Sequence, residues 1–300
     1  MADSRLRKLA AEHRAALVPG VYSALTARQA ELAGFEAIYA TGAGIANSLL
    51  AAPDLGLTSF KEVLDQVQYI VDAVDVPVIV DADTGFGNAL SVSRVVRALE
   101  RAGAAAAQLE DQEFPKRCGH FDGKRVVPAD EMLGKIRAAL DARMSDQFLI
   151  VARTDARADL GLDEALDRAE RYAEAGADII FVEAPLTLDE YAQVTRRIQK
   201  PCLANLVEGG KGIAPSQAQL QEMGYGIALH ANIALRAAIQ ATGEILAYLR
   251  EHGTPSGAED RFASWTERQR LVRLDEYQAL ERRYAADGDP GDERRPASRG

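Results

Sequence analysis

With 300 residues, 47% of them hydrophobic and 27% charged, the chain reads as an ordinary globular protein, not a disordered, collagenous or membrane-spanning one. That length can bury a large core without disulfide or zinc staples. Its 35 Lys and Arg against 45 Asp and Glu give a net charge of -10, which argues against a broad polyanion-binding surface and so against nucleic acid as a partner.

The chain opens on MADSRLRKLAAEHRAAL, a charged amphipathic helix and not the apolar core of a signal peptide, and has only Cys118 and Cys202. A cytoplasmic protein with no disulfide framework is expected. Short apolar segments then alternate eight times with longer segments of helical period. The strand candidates end near Pro19, Thr41, Asp83, Glu110, Arg153, Glu183, Asn205 and His230. The helical segments are 23–33, 59–74, 89–102, 130–142, 162–175, 189–198, 216–223 and 233–251. Apolar strands each followed by a crossover helix predict a parallel sheet, and eight such units predict a closed α/β (β/α)8 barrel of the TIM type. The alternative, an open doubly wound sheet, lacks the G-x-G-x-x-G turn after its first strand.

Phe262, Trp265, Leu271, Leu274 and Tyr277 recur at helical spacing within 257–284, which predicts one further amphipathic helix whose apolar face needs a partner. The polar, breaker-rich residues 285–300 are expected to be disordered. The organisation expected is thus a catalytic barrel with its N-terminal helix over 1–256, a helical extension over 257–284, and a tail.

Active sites of such barrels lie at the C-terminal ends of the strands. Here Asp81 and Asp83, Glu110 and Asp111, Arg153, Glu183 and Asn205 all fall there. One strand-end Asp is as readily a helix cap as a ligand, but several converging on one mouth are not explained by capping. Asp81, Asp83 and Glu110 would repel one another unless a cation relieved them, and an all-oxygen set suits Mg²⁺ or Mn²⁺ better than Zn²⁺. A salt-bridge cluster around Arg153 is the structural alternative. The segment 111–130 is long for a βα connection and reads as a lid, with Gly119 and Gly123 as hinges. Within it Cys118 lies between Lys116-Arg117 and His120, which would lower its pKa toward neutrality for proton transfer. Cys202 reads as a buried strand residue. The turn from Thr41 to Gly44 could offer backbone N–H groups to a carboxylate.

The motifs YATGAG, PDLGLTS, VDADTGFGN, LEDQ, PKRCGH, VARTDAR, GADIIFVEAP and ANLVEGG, in this order, resemble the isocitrate lyase/phosphoenolpyruvate mutase superfamily over about residues 18–236. PKRCGH resembles the branch of small carbon–carbon lyases that includes 2-methylisocitrate lyase and 2,3-dimethylmalate lyase. The resemblance implies a barrel whose C-terminal helix is exchanged between subunits of a homotetramer. It implies Mg²⁺, with Mn²⁺ as a substitute, held largely through water by Asp81, Asp83 and Glu110 with Asp54 nearby. It also implies a substrate carboxylate on Thr41, Gly42 and Ala43, further substrate contacts from Asp81, Gly119, Arg153, Glu183 and Asn205, and Cys118 as the catalytic thiol. Arg236 matches a position used for a distal carboxylate, whereas Leu206-Val207-Glu208-Gly209-Gly210 departs from the methylisocitrate lyase pattern.

The activity expected is Mg²⁺-dependent cleavage of a 2-hydroxy di- or tricarboxylate to an oxo acid such as pyruvate plus a carboxylic acid. In that retro-aldol step Arg153 offsets charge, Cys118 protonates the second fragment, His120 and Glu183 orient it, and Tyr39 accepts the hydroxyl proton. Oxaloacetate hydrolysis or decarboxylation, phosphonate mutase chemistry and a non-catalytic carboxylate-binding role are the competing readings.

Overall fold

The computed structural model describes residues 4–117, 123–207, 209–210 and 212–285. The expected tail from 286 onward, the hinge Gly119, Cys118, His120 and Glu208 lie outside the described residues. Eight strands close into one barrel in chain order, as predicted. They are β1 (Ala16–Val21), β2 (Ile38–Ala40), β3 (Val78–Asp81), β4 (Ala106–Glu110), β5 (Leu149–Thr154), β6 (Ile179–Val182), β7 (Cys202–Asn205) and β8 (Ile227–His230). Every neighbouring pair is parallel, and β8 returns to pair with β1.

The strands read as unbroken apolar runs because both of their faces are buried. In β5, Leu149 and Val151 join the barrel interior while Ile150 and Ala152 face the surrounding helices. Ile227 and Leu229 of β8 point inward and Ala228 outward in the same way. The helices are α1 (Arg5–Ala11), α2 (Ala24–Leu32), α3 (Gly42–Leu50), α4 (Phe60–Ala73), α5 (Ala89–Arg101), α6 (Ala129–Ala142), α7 (Ala156–Leu160), α8 (Leu162–Glu174), α9 (Leu188–Arg197), α10 (Gln217–Glu222), α11 (Ile233–His252), α12 (Trp265–Leu271) and α13 (Leu274–Tyr284). Local chemistry sets their starts: Ser59 and Glu62 cap α4 reciprocally, and Asn88 caps α5. Val92, Val95, Val96 and Leu99 then turn one face of α5 to the core.

The apolar face of α1 closes the foot of the barrel, where Leu6, Leu9 and Ala10 join the interior cluster with Val18, Ile79 and Leu229. The approach is so close that a Cβ at Gly226 would lie 2.1 Å from the carbonyl oxygen of Ala10. Arg5 and Arg7 tie the helix down by donating to the carbonyls of Asp75 and Asp146.

Compactness divides the chain into two units, Met1–Gln240 and Ala241–Gly300, so the division falls inside α11. In the second unit the single helix expected over 257–284 is interrupted. Arg273 takes a left-handed conformation at φ 57°, which ends one helical run and starts another, giving α12 and α13. Trp265 and Tyr277 are exposed there, with Arg268 stacked 4.0 Å over the indole. No described helix is long and apolar enough to cross a membrane.

Candidate active site

Strand ends bring the polar residues to one mouth. The register sets Asp81 beside Gln108 and Glu110 beside Arg153. A cavity of about 40 Å³ lies there, lined by Tyr39, Thr41, Asp54, Asp81, Glu110, Lys116, Arg153, Glu183, Asn205 and Asn232 among others, over an apolar floor of Phe181 and Leu229.

Asp81 is held on both oxygens. Its Oδ2 accepts from the Gly42 amide at 3.2 Å, and its Oδ1 accepts from the Asp83 amide and from Gln108 Nε2, each at 3.2 Å. A side chain at position 42 would press on the site, since a Cβ would meet Asp81 Oδ2 at 3.0 Å and Asp83 Oδ1 at 3.2 Å. Glu110 is less satisfied: Oε2 lies 3.4 Å from Arg153 Nη1, and buried Oε1 has no hydrogen-bond partner. Asp83 Oδ1 lies 2.7 Å from Lys116 Nζ, an ion-pair contact without hydrogen-bond alignment.

These burials are electrostatically expensive. Burial pushes the Asp83 carboxyl up to about 7; Lys116 pulls it down, while Asp81 and Asp54 push it further up. Burial also lifts Glu110 well above the usual carboxylate range, against the pull of Arg153. For Lys116 burial works against the charge, yet Asp83, Asp81, Glu110 and Asp54 together hold its pKa well above that of an ordinary lysine.

Arg153 sits in a clamp of its own. Nε and Nη2 donate to the two oxygens of Asp155 at 2.8 and 3.0 Å, Glu183 lies 3.9 Å away, and the guanidinium stacks 5.1 Å over Phe181. Lys124 adds a second cation to Asp155 at 2.9 Å. Although burial alone would raise the Asp155 pKa, Arg153 and Lys124 more than offset it and hold it below the usual range. Beneath them, Asp111 accepts from the Thr154 hydroxyl at 2.7 Å, the Asp155 amide at 2.9 Å and the Tyr172 hydroxyl at 2.9 Å, which fixes the end of β5. The salt-bridge cluster around Arg153 is therefore present, and Glu110 belongs both to it and to the carboxylate group.

Of the residues singled out from sequence, Tyr39, Thr41, Ala43, Asp54, Asp81, Glu110, Arg153, Glu183 and Asn205 line the cavity, and Asp83 lies behind it on Lys116. Two expectations change. The Gly42 amide is taken by Asp81 and is not presented to a ligand. The Tyr39 hydroxyl donates a hydrogen bond to Gln108 Oε1 at 2.6 Å, and burial followed by the Asp81 charge raises its pKa well above that of an ordinary phenol, which argues against the proton-accepting role expected of it. Arg236 lies on an exposed position of α11 and is not among the lining residues. Cys118, Gly119 and His120 lie outside the described residues.

Gln108, Asp155, Lys124 and Asn232 were not assigned from sequence, and Lys116 was read only as a cationic neighbour of Cys118. Gln108 left a signal, a lone polar residue within apolar AAAAQLE, whereas the reach of Lys116 back to Asp54 is tertiary and left none. Among the described residues no three His, Cys, Asp or Glu side chains converge closely enough to chelate an ion directly.

The sequence profile of the family described as phosphoenolpyruvate phosphomutase matches residues 6–250. The chain is 42% identical over 282 residues to the 2,3-dimethylmalate lyase of Eubacterium barkeri, an alignment covering 94% of this chain and 98% of that one. It is 46% identical over 273 residues to the 2-methylisocitrate lyase of Aeropyrum pernix, covering 91% and 88% respectively. Among solved structures it is similar to phosphonopyruvate hydrolase in complex with oxalate and Mg²⁺, with a TM-score of 0.84 at 32% identity, covering 95% of this chain and 99% of that one.

Proposed function

The chain is an enzyme that belongs to the phosphoenolpyruvate phosphomutase family, within the isocitrate lyase/phosphoenolpyruvate mutase superfamily, and from that premise we propose that it is a Mg²⁺-dependent carbon–carbon lyase. Its substrate is a 2-hydroxy di- or tricarboxylate of the 2-methylisocitrate or 2,3-dimethylmalate type, cleaved to an oxo acid such as pyruvate and a carboxylic acid. The observation that carries this reading is the set of buried carboxylates facing Arg153 across one small cavity at the barrel mouth.

The residues present fit a divalent cation. The donors are all oxygen, Glu110 Oε1 is buried with no hydrogen-bond partner, and burial has raised Asp83 and Glu110 even with Lys116 and Arg153 beside them. Their spacing does not make a direct chelate, which suits an ion that keeps several of its waters. Asp81, Asp83 and Glu110 would hold it, with Asp54 nearby. When bound, the cation supplies Lewis acidity that polarises the substrate hydroxyl and the adjacent carboxylate.

The chain's own residues do the rest. Arg153, oriented by Asp155, faces the substrate with a fixed guanidinium that offsets negative charge. Thr41 and Ala43, at the N-terminal end of α3, bring the positive end of the helix to a substrate carboxylate. Tyr39 acts by positioning: it holds Gln108, whose amide in turn holds Asp81. Asn205 Oδ1, without a partner in the cavity wall, is an acceptor for a substrate hydroxyl. Glu110, whose buried Oε1 has no hydrogen-bond partner and whose pKa is raised by burial, takes the hydroxyl proton. With that transfer the bond between the carbinol carbon and the neighbouring carboxylate-bearing carbon breaks in the retro-aldol sense, leaving the oxo acid and the enediolate of the second fragment. Cys118 then protonates the enediolate fragment, with His120 and Glu183 orienting it. The same reading takes the protein as a cytoplasmic homotetramer in which Trp265 and Tyr277 of the C-terminal unit pack on another copy.

A coupled assay of pyruvate and glyoxylate release tests this, run with Mg²⁺ and with EDTA over 2-methylisocitrate, isocitrate, 2,3-dimethylmalate, other alkylmalates and oxaloacetate. Metal-dependent cleavage of a hydroxy acid is expected. Turnover of oxaloacetate alone would move the assignment to a hydrolase or decarboxylase, and silence across the panel would end the lyase reading. Cys118→Ala is expected to keep the fold and lower turnover by about 10²-fold.

A further inference from the structure

Lys116 lies in the connection after β4, yet its ammonium reaches into the carboxylate group. Nζ is 2.6 Å from Asp54 Oδ1 and 2.7 Å from Asp83 Oδ1, with 4% of the side chain exposed. Arg153 does not take this place, because its guanidinium is bidentate on Asp155 and also faces Glu110 and Glu183. The backbone beside Lys116 is fixed independently. The Gln112 side chain accepts from the Arg117 amide at 2.9 Å and donates to the Arg117 carbonyl at 2.8 Å. Lys116 is therefore a flexible four-carbon arm on a pinned anchor, and its head can leave the carboxylates without loosening the base of the loop.

We propose that Lys116 is a tethered counter-ion, which compensates Asp54 and Asp83 in the metal-free protein and is displaced when a divalent cation enters. This rests on the reading that Asp81, Asp83 and Glu110 hold such a cation. An ammonium and a hydrated dication drawn to the same buried carboxylates repel each other, and the dication brings twice the charge. The apparent affinity for the metal is then its intrinsic affinity reduced by the fraction of molecules in which Lys116 occupies the site.

Titration calorimetry of the metal-stripped, full-length protein with Mg²⁺ alone separates the possibilities. Lys116→Met keeps the arm and removes its charge, and is expected to tighten the Kd by about tenfold or more. Lys116→Arg keeps the charge and is expected to stay within about twofold of wild type. An unchanged or weaker Kd in Lys116→Met overturns the counter-ion role and leaves the cation site standing. Failure of wild type and Lys116→Met alike to bind Mg²⁺ overturns the cation site, and the counter-ion role with it. Should Lys116→Met not fold without metal, the wild-type protein still decides. Acetylation of Lys116 by acetic anhydride, read by mass spectrometry, is expected to rise on saturation with Mg²⁺, and no rise overturns the proposal.

Discussion

The two ends of the barrel are closed by opposite means. At the foot Leu6, Leu9 and Ala10 of α1 pack on the interior ends of the strands, so closure there is a matter of apolar area and volume. At the mouth Asp81, Asp83, Glu110, Lys116, Arg153, Asp155 and Glu183 are buried just as thoroughly, and every one is ionisable. Closure there depends on each charge meeting a partner of the right sign and geometry. The same degree of burial thus has two meanings: the foot needs the right volume, and the mouth needs the right charge.

Conservative substitutions sharpen that contrast. The largest effect is expected from Asp155→Asn, which keeps the shape but strands Arg153 and Lys124; breaking a buried pair of this kind costs about 3–5 kcal/mol, read as a loss in chemical denaturation. Its pH dependence carries a sign. The Asp155 carboxyl is held below its unfolded value, so its ion pairs contribute stability above about pH 3.9 and lose it as the pH falls through the folded value. Wild type should therefore lose stability in acid by more than Asp155→Asn does; equal acid sensitivity would show that the clamp contributes nothing. Next comes Arg153→Lys, which keeps the charge and removes the planar fork. It is expected to lower kcat/KM by about 10²–10³-fold with the fold retained, as measured by steady-state kinetics and circular dichroism. The smallest effect belongs to the foot, where Leu6→Met conserves volume and should cost less than about 1.5 kcal/mol with kcat unchanged. A mouth variant as mild as Leu6→Met, or a Leu6→Met as damaging as Arg153→Lys, would break the comparison.

Legibility in the sequence divides along the same line. The strands were readable because burial on both faces leaves runs such as FLIVA and ADIIFV, and the site because Asp81, Glu110, Arg153 and Glu183 interrupt those runs at one end. What was not readable depends on contacts made after the chain folds. α3 follows β2 directly although Gly42 and Gly44 disfavour a helix, because Thr41 caps it and Ile45 and Ala46 are buried. The interruption at Arg273 falls within an otherwise continuous apolar period. Tyr39 has the chemistry of a proton acceptor when read by type, and only the Gln108 carbonyl opposite its hydroxyl makes it a donor. The pairing of Lys116 with Asp54 and Asp83 likewise belongs to the folded mouth and not to the spacing of PKRCGH.

The stopper formed by α1 closes the barrel on the side away from the mouth. With Phe181 and Leu229 lining the cavity and Val151, Leu203 and Ile227 filling the interior, the described residues leave the mouth as the way in and out. When a molecule is split inside such a blind pouch, the fragment nearer the doorway departs first and the deeper one last. Product inhibition should reveal that queue, with the deep fragment competing directly against substrate and the outer one acting only on an enzyme that already holds its sibling.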